Sequence, residues 1–148
     1  MKKSLNREID VINTNKMIRK ITLIDIFKIY NYYKKNYKTM ELFPLFIPYY
    51  LINKMDIYAY FNNKKIVGIV YLIKKGKSKN STYNLGLFVT KEYRGRGIGT
   101  ELIEKVCEKG YKKILLGVRE DNVNAMKIYK KAGFKLKFKK IIMERDSE

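Results

Sequence analysis

The sequence predicts a mixed α+β domain, and three observations carry that prediction. An apolar, β-prone run ending at Val89 passes through a charged turn into Gly95, Gly97 and Gly99, and an amphipathic segment follows at once: a strand, a tight turn and a helix start. Two β-rich runs, Met55 to Phe61 and Lys65 to Ile73, are separated only by Asn62-Asn63-Lys64, which is hairpin spacing. From residue 16 onward, segments read in the order strand, helix or two, three strands, helix, strand, helix, strand. A chain of 148 residues suits one such domain.

Residues 1–15 are polar with weak periodicity and read as a loosely attached leader, so the domain is expected over 16–148. Met17 to Ile21 alternates as a strand. Thr22 stands at a helix N-cap position ahead of Leu23, Ile26, Phe27 and Tyr30 at helical spacing, and Asp25 in the first turn complements the helix dipole. In ELFPLFIPYYLI, Glu41 to Ile52, Pro44 and Pro48 exclude one uninterrupted helix, and a short second helix starting near Pro48 is expected. KKGKSKN, Lys74 to Asn80, is a solvated loop. The strand Ser81 to Val89 leads into the glycine turn and a helix with Ile98, Leu102, Ile103 and Val106 on one face. Cys107 beside Val106 is expected as a buried thiol, and Gly110 as the helix end. Lys113 to Val118 is a strand. Asn122 and Val123 introduce a helix with Ala125, Ile128, Tyr129 and Ala132 inward and Gly133 as its left-handed cap. The alternation of Phe134, Leu136 and Phe138 shifts phase before Ile141 and Met143, which predicts a final strand with a bulge or tight turn at Lys139 and Lys140.

The glycine turn carries the chemistry. Glycines remove side chains where the backbone curls, and the following helix leaves its first N–H groups unpaired, so the turn forms a nest for an anion. Arg94 and Arg96 add charge there, which points to a pyrophosphate-bearing ligand. Only six arginines occur in a chain otherwise dominated by Lys, and two of them flank Gly95, which fits forked recognition of phosphate oxygens. A Walker loop and the Rossmann fingerprint both fail, the latter because position 100 is Thr. The absence of His excludes a Ser-His-Asp or Cys-His pair and any His-based metal site, and one Cys can form neither an intramolecular disulfide nor a thiolate zinc site. No transmembrane-length apolar run and no signal peptide is read, so the expected setting is cytoplasmic. A formal net charge of +19 draws polyanions, RNA among them, or reflects compositional drift to Lys.

The hexad Arg94-Gly95-Arg96-Gly97-Ile98-Gly99 resembles the Q/R-x-x-G-x-G/A signature of the GNAT superfamily of acyl-CoA-dependent N-acyltransferases. Asn122 to Phe134 resembles that family's N-x-x-A-x-x-x-Y-x-x-x-G-F pattern. The resemblance implies a GNAT fold, a central mostly antiparallel sheet splayed at the strand before the glycine loop and flanked by helices. It implies acetyl-CoA as cosubstrate, no metal, and N-acetyl transfer to a primary amine by direct attack in a ternary complex. Arg94, Gly95, Arg96, Gly97, Ile98, Gly99 and Thr100 would hold the pyrophosphate. Leu87, Phe88 and Val89 would offer backbone amides to the cofactor arm and acetyl oxygen, and Asn122 would bond the arm. Tyr129 would face the sulfur and protonate the leaving thiolate, since a phenol titrates near ~10 and a thiol near ~8.5; a core tyrosine is the plainer reading of the same residue.

Phe43, Phe46, Tyr49 and Tyr50 would lie beside the acceptor pocket. LLGVREDN resembles the strand end of the ribosomal-protein N-terminal acetyltransferases, but Gly117 stands where a catalytic Glu is expected. The base is unassigned, with Glu41, Glu120, Asp121 or a water as candidates. The short C-terminal remainder suggests an open acceptor side suited to a peptide, protein or other large amine, with RNA or ribosome association through the basic surface and a homodimer as further expectations. A nucleic-acid-associated module on the same fold, with weak or no transferase activity, is the alternative.

Overall fold

The computed structural model describes residues 16–36, 55–76 and 81–145. Within them the chain forms β1 (Lys16–Lys20), α1 (Ile26–Asn36), β2 (Met55–Asn62), β3 (Lys65–Lys75), β4 (Thr82–Val89), α2 (Ile98–Cys107), β5 (Lys113–Leu116) and α3 (Val123–Lys131). Single 3-10 turns occupy Leu23–Asp25 and Lys91–Tyr93. The strands make one sheet in sequence order, antiparallel from β1 to β4 and parallel between β4 and β5. This is the mixed α+β architecture that the sequence predicts. The leader 1–15 and the segment Glu41 to Ile52, with Phe43, Phe46, Tyr49 and Tyr50, lie outside the described residues.

The β2–β3 hairpin turns on Asn63 and Lys64, whose φ angles of 48° and 64° are both left-handed. A two-residue turn of that hand matches the twist of the strands it joins. Asn tolerates it and Lys does so at a cost. β3 is the middle strand and is covered on both faces, with Val67, Ile69, Val70 and Leu72 all buried. Gly68 lets α2 seat against it: a Cβ there would stand 3.0 Å from Ile98 Cγ2 and 3.1 Å from Leu102 Cδ1.

Helices cover both faces. On one, α1 sets Ile29 and Tyr32 against Ile57, Ala59 and Ile69. On the other, α2 buries Ile98, Leu102, Ile103 and Val106 against Val70, Leu72 and Leu85, while Ala125, Ile128 and Tyr129 of α3 close the same cluster. Each large aliphatic side chain so buried stabilises the fold by about 1.5–3 kcal/mol.

Three sequence expectations need correction. The inward face of the 3-10 turn and α1 together is Asp25, Ile29 and Tyr32, while Leu23 and Phe27 are 65% and 80% exposed. An ion pair sets that rotation: Arg19 on β1 grips Asp25 through two bonds, Nη1 to Oδ2 at 2.6 Å and Nη2 to Oδ1 at 2.8 Å. The Thr22 N–H and hydroxyl also donate to Asp25 Oδ2, at 3.0 and 3.1 Å. Cys107 is exposed, because one residue past the buried Val106 is a rotation of about 100° around the helix. Residues 135–145 form no strand, and Leu136, Phe138, Ile141, Ile142 and Met143 stand exposed. A strand there would need a sheet edge to pair its backbone, and the adjacent edge strand β5 is only four residues.

The Arg19 bonds hold the Asp25 carboxyl far below the usual carboxylate range. A depressed native pKa contributes stability that is complete above the unfolded value near ~4 and is lost as pH falls through the native value. The melting temperature is therefore expected to fall with acidification below about pH 4. Asp25→Asn should lose most of that pH dependence along with about 1–3 kcal/mol of stability at neutral pH, because the bonds that Arg19 and Thr22 give the buried carboxylate are weakened or lost while Arg19, one-third exposed, keeps Lys20 O and solvent. Parallel denaturant titrations of both proteins at neutral and acid pH check it.

Candidate active site

β4 and β5 diverge at the centre of the molecule. Their ladder runs from Thr82 opposite Lys113 to Leu85 opposite Leu116 and stops, while β4 continues beside β3 as far as Val89. Thr90 N–H donates to Val67 O on β3. By the two-residue period of a strand, the backbone groups of Val89 and Leu87 point the other way, into the gap that β5 has left. The wall of the gap therefore carries the N–H groups of Leu87 and Val89 and the Leu87 carbonyl, the Val89 carbonyl being taken by Arg94 Nε. Phe88 alternates to the opposite face, where its ring meets Tyr32 of α1.

Gly86 sits where the ladder ends, and its place is dictated by a ring. A Cβ built there would come within 1.9 Å of Tyr71 Cζ, its cross-strand partner on β3. Gly86→Ala is expected to displace Tyr71 and lower stability by about 1–3 kcal/mol, and adding Tyr71→Ala should make the glycine replacement nearly neutral. A double-mutant cycle by urea denaturation reads this directly.

Beyond Thr90 the glycine loop is built from two left-handed residues, Gly95 at φ 75° and Gly97 at φ 80°, with Gly97 as the N-cap of α2. Neither glycine has an atom within 4 Å of the position a Cβ would take, so the loop opens to solvent there. The N–H groups of Ile98, Gly99 and Thr100 begin α2 and have no intrahelical acceptor, which leaves the positive end of the helix facing outward. Gly99 serves packing: its missing side chain admits Ile128 Cδ1 of α3 and Leu87 Cδ2 of β4, each 3.4 Å from a built Cβ.

The arginines brace the loop as well as charge it. Arg94 Nε donates to Val89 O at 2.9 Å, and its guanidinium lies over the Phe88 ring at 5.6 Å. Arg96 Nη2 donates to Glu92 O at 3.1 Å and stacks over Tyr93 at 5.0 Å. Both guanidiniums are thereby tied to carbonyls and rings of the segment that leads into the loop.

Tyr129 shares a cluster with Leu87, Val89, Ile98 and Ile128, so α3 brings it to the loop side of the sheet. Its ring meets Phe134 edge-on at 5.9 Å, and burial pushes its phenol up, keeping the proton in place at neutral pH. Asn122 is the N-cap of α3, accepting from Ala125 N–H at 3.1 Å, and is exposed. Leu87, Val89, Ile98 and Tyr129 thus share one apolar cluster with the start of α2, and Asn122 has a capping task.

The carboxylates are already engaged. Glu120 pairs with Lys139 at 2.9 Å and Asp121 with Arg119 at 2.8 Å, both on the surface, and these partners lower both pKa values. Asp56 is held by Lys20 and by the Tyr111 hydroxyl at 2.7 Å. An open groove elsewhere, between β1 and α2, is lined by Glu101, Glu104 and Glu108 together with Lys16 and Lys105, a mixed set of charges.

A sheet that opens between β4 and β5 beside a helix-start nest of amides is a site suited to an anionic ligand. The profile of the Acetyltransferase (GNAT) family matches residues 23–134. The chain belongs to that family. Among curated proteins it is 36% identical over 70 residues to the thialysine N-epsilon-acetyltransferases of Mus musculus and of Sus scrofa. Each match covers 45% of this chain and only 41% of the relative, so the chain spans less than half the length of those enzymes. Among solved structures, an aminoglycoside acetyltransferase from an uncultured soil metagenomic sample, in complex with trehalose, superposes with a TM-score of 0.69 at 14% identity, over 93% of this chain and 99% of that one. The aminoglycoside N-acetyltransferase AAC(6')-Iy in complex with CoA gives 0.64 at 16% identity, over 88% of this chain and 99% of its own. At these identities the solved structures establish a shared fold.

Sequence reasoning missed Tyr32, Gly86 and Thr90. A lone glycine inside the run Leu85-Gly86-Leu87 was the available signal for a close approach. Nothing local marks Tyr32, whose partner lies 58 residues away.

Proposed function

We propose that the chain moves an acetyl group from acetyl-CoA to a primary amine by direct attack in a ternary complex. The observation that carries this reading is the continuation of β4 past the end of β5, beside the Gly95–Gly99 nest. In this reading the amides of Ile98, Gly99 and Thr100, with Arg94 and Arg96, take the pyrophosphate. The Leu87 and Val89 backbone binds the cofactor arm and the acetyl oxygen, polarising the carbonyl as the amine adds. As the tetrahedral adduct collapses, the C–S bond breaks and Tyr129 gives its proton to the thiolate, while the nitrogen sheds its proton to water and solvent reprotonates Tyr129, leaving amide and free thiol. A buried phenol is a weaker acid than one in water, but the thiolate leaving into the same dry space is destabilised in the same sense, so the transfer remains matched.

The acceptor reading is a peptide, protein or other large amine. It is supported by residues 135–145, which raise no strand beside the opening, and by the pairing of Asp56, Glu120 and Asp121 with cations, which leaves these three poorly placed to attract a small polycation. The likeness of Leu115 to Asn122 to ribosomal-protein N-terminal acetyltransferases points the same way.

Calorimetric titration with acetyl-CoA, with ATP as a polyanion control, tests the cofactor. Thiol release in the presence of an N-terminal peptide amine, a lysine peptide, thialysine or an aminoglycoside tests the acceptor. Saturable binding of acetyl-CoA with weak binding of ATP, followed by turnover on a peptide, is the expected result. Equal binding of both nucleotides, with salt-dependent RNA binding and no thiol release, would replace transfer with a basic nucleic-acid module.

A further inference from the structure

We propose that Tyr32 and Thr90 form a hydroxyl strut that sets the register of the glycine loop, so that α1, on the opposite face of the sheet, positions the loop entry and the Val89 backbone read as binding the cofactor arm. The proposal rests on the reading of that loop as the acetyl-CoA site.

Thr90 is the last residue before the chain leaves the sheet, and its three polar groups go to three elements. Its N–H donates to Val67 O on β3 at 2.9 Å, its carbonyl accepts from Tyr93 N–H in the 3-10 turn at 2.9 Å, and its hydroxyl donates to the Tyr32 hydroxyl at 3.1 Å. Both side chains are buried, Thr90 at 6% exposure and Tyr32 at 7%. A second contact runs in parallel: the Tyr32 ring meets Phe88 edge-on at 6.2 Å, and the opening residue of the loop hexad, Arg94, covers the same Phe88.

The loop needs such an anchor because packing does not hold its crest. Gly95 and Gly97 have open space where a side chain would be, and glycine at positive φ has the widest choice of backbone conformation. The direction of the amides is then set at the two ends of the loop. One end is α2, locked into the core by Ile98 and Leu102. The other is Thr90. Removing the hydroxyl of Tyr32 would leave the Thr90 hydroxyl buried without this acceptor and free the pivot to turn. Burial pushes the Tyr32 phenol up to about 12, so the strut keeps its protons throughout the range in which the protein would work.

The test is a double-mutant cycle on acetyl-CoA affinity, read by calorimetry, with the ligand-free melting temperature of each variant measured beside it. Tyr32→Phe keeps the ring on Phe88 and removes one oxygen. Thr90→Val keeps the shape and removes the other. Each is expected to raise the acetyl-CoA dissociation constant by about three- to tenfold, one broken hydrogen bond expressed in binding. The double variant is expected to be no weaker than the worse single, since both remove the same bond. Thr90→Ser, which keeps the hydroxyl, should bind as the parent does. A lowered melting temperature with unchanged affinity in Tyr32→Phe would overturn the proposal, as would independent, multiplying losses in the double variant. Should Thr90→Val fail to fold, Tyr32→Phe and Thr90→Ser decide alone. Absence of acetyl-CoA binding in the parent protein would instead overturn the cofactor reading and this one with it.

Discussion

Gly97→Asp is expected to raise the acetyl-CoA dissociation constant by roughly a hundredfold while the ligand-free protein stays folded. The arithmetic is that of a carboxylate placed against a pyrophosphate, a like-charge contact of about 3 kcal/mol. The fold should survive because a Cβ at Gly97 meets nothing within 4 Å and Asp is among the residues that tolerate its φ of 80°, at a cost of about 1 kcal/mol. Gly97→Ala separates the two causes, since it carries the backbone strain without the charge. Affinity lost to the same degree in both variants would point to loop geometry alone. Affinity retained in Gly97→Asp would place the cofactor elsewhere.

Tyr129→Phe is expected to reduce the turnover number about a hundredfold, the lower range for loss of a positioned proton donor, with acetyl-CoA affinity changed less than twofold. The ring remains to meet Phe134, so the α3 packing is preserved. The pH profile adds a readout that a packing role would not move. A donor is active while protonated, and burial raises this phenol above its ordinary value, so the parent should lose activity only above about pH 10 and the Phe variant should lack that limb. Unchanged turnover would return Tyr129 to the hydrophobic core.

Local pattern sufficed for the elements and for the loop. The hairpin turn after β2, the strand running to Val89, the three glycines and the Asn122 cap are each written in a few consecutive residues, and each was found where the pattern placed it, with Asn62 of the expected turn paired to Lys65 in the ladder. Long-range pairing decided the rest. The face of α1 follows from Arg19 holding a buried carboxylate, a partnership that hydrophobic periodicity does not register, and so Ile29 rather than Phe27 points inward. The Phe134-Leu136-Phe138 alternation promised a strand, but a strand exists only with a neighbour, and the four residues of β5 supply too little of one. Gly86 and Thr90 belong to the same class: what they do depends on Tyr71 and Tyr32, which no motif brings near them.

The outward turn of Cys107 equips the protein with its own attachment point for a reporter. It is the single thiol of the chain and closes α2, whose other end is the N-terminal nest, ten residues and about 15 Å away along the helix axis. Partial desolvation and Glu104 push the thiol upward, so maleimide coupling should proceed best in mildly alkaline buffer. A fluorophore there would ride, without touching the loop, on the element whose first turn is proposed to take the pyrophosphate. Binding at the nest could then be followed by emission from the far end of the same helix, in a protein that needs no engineered cysteine.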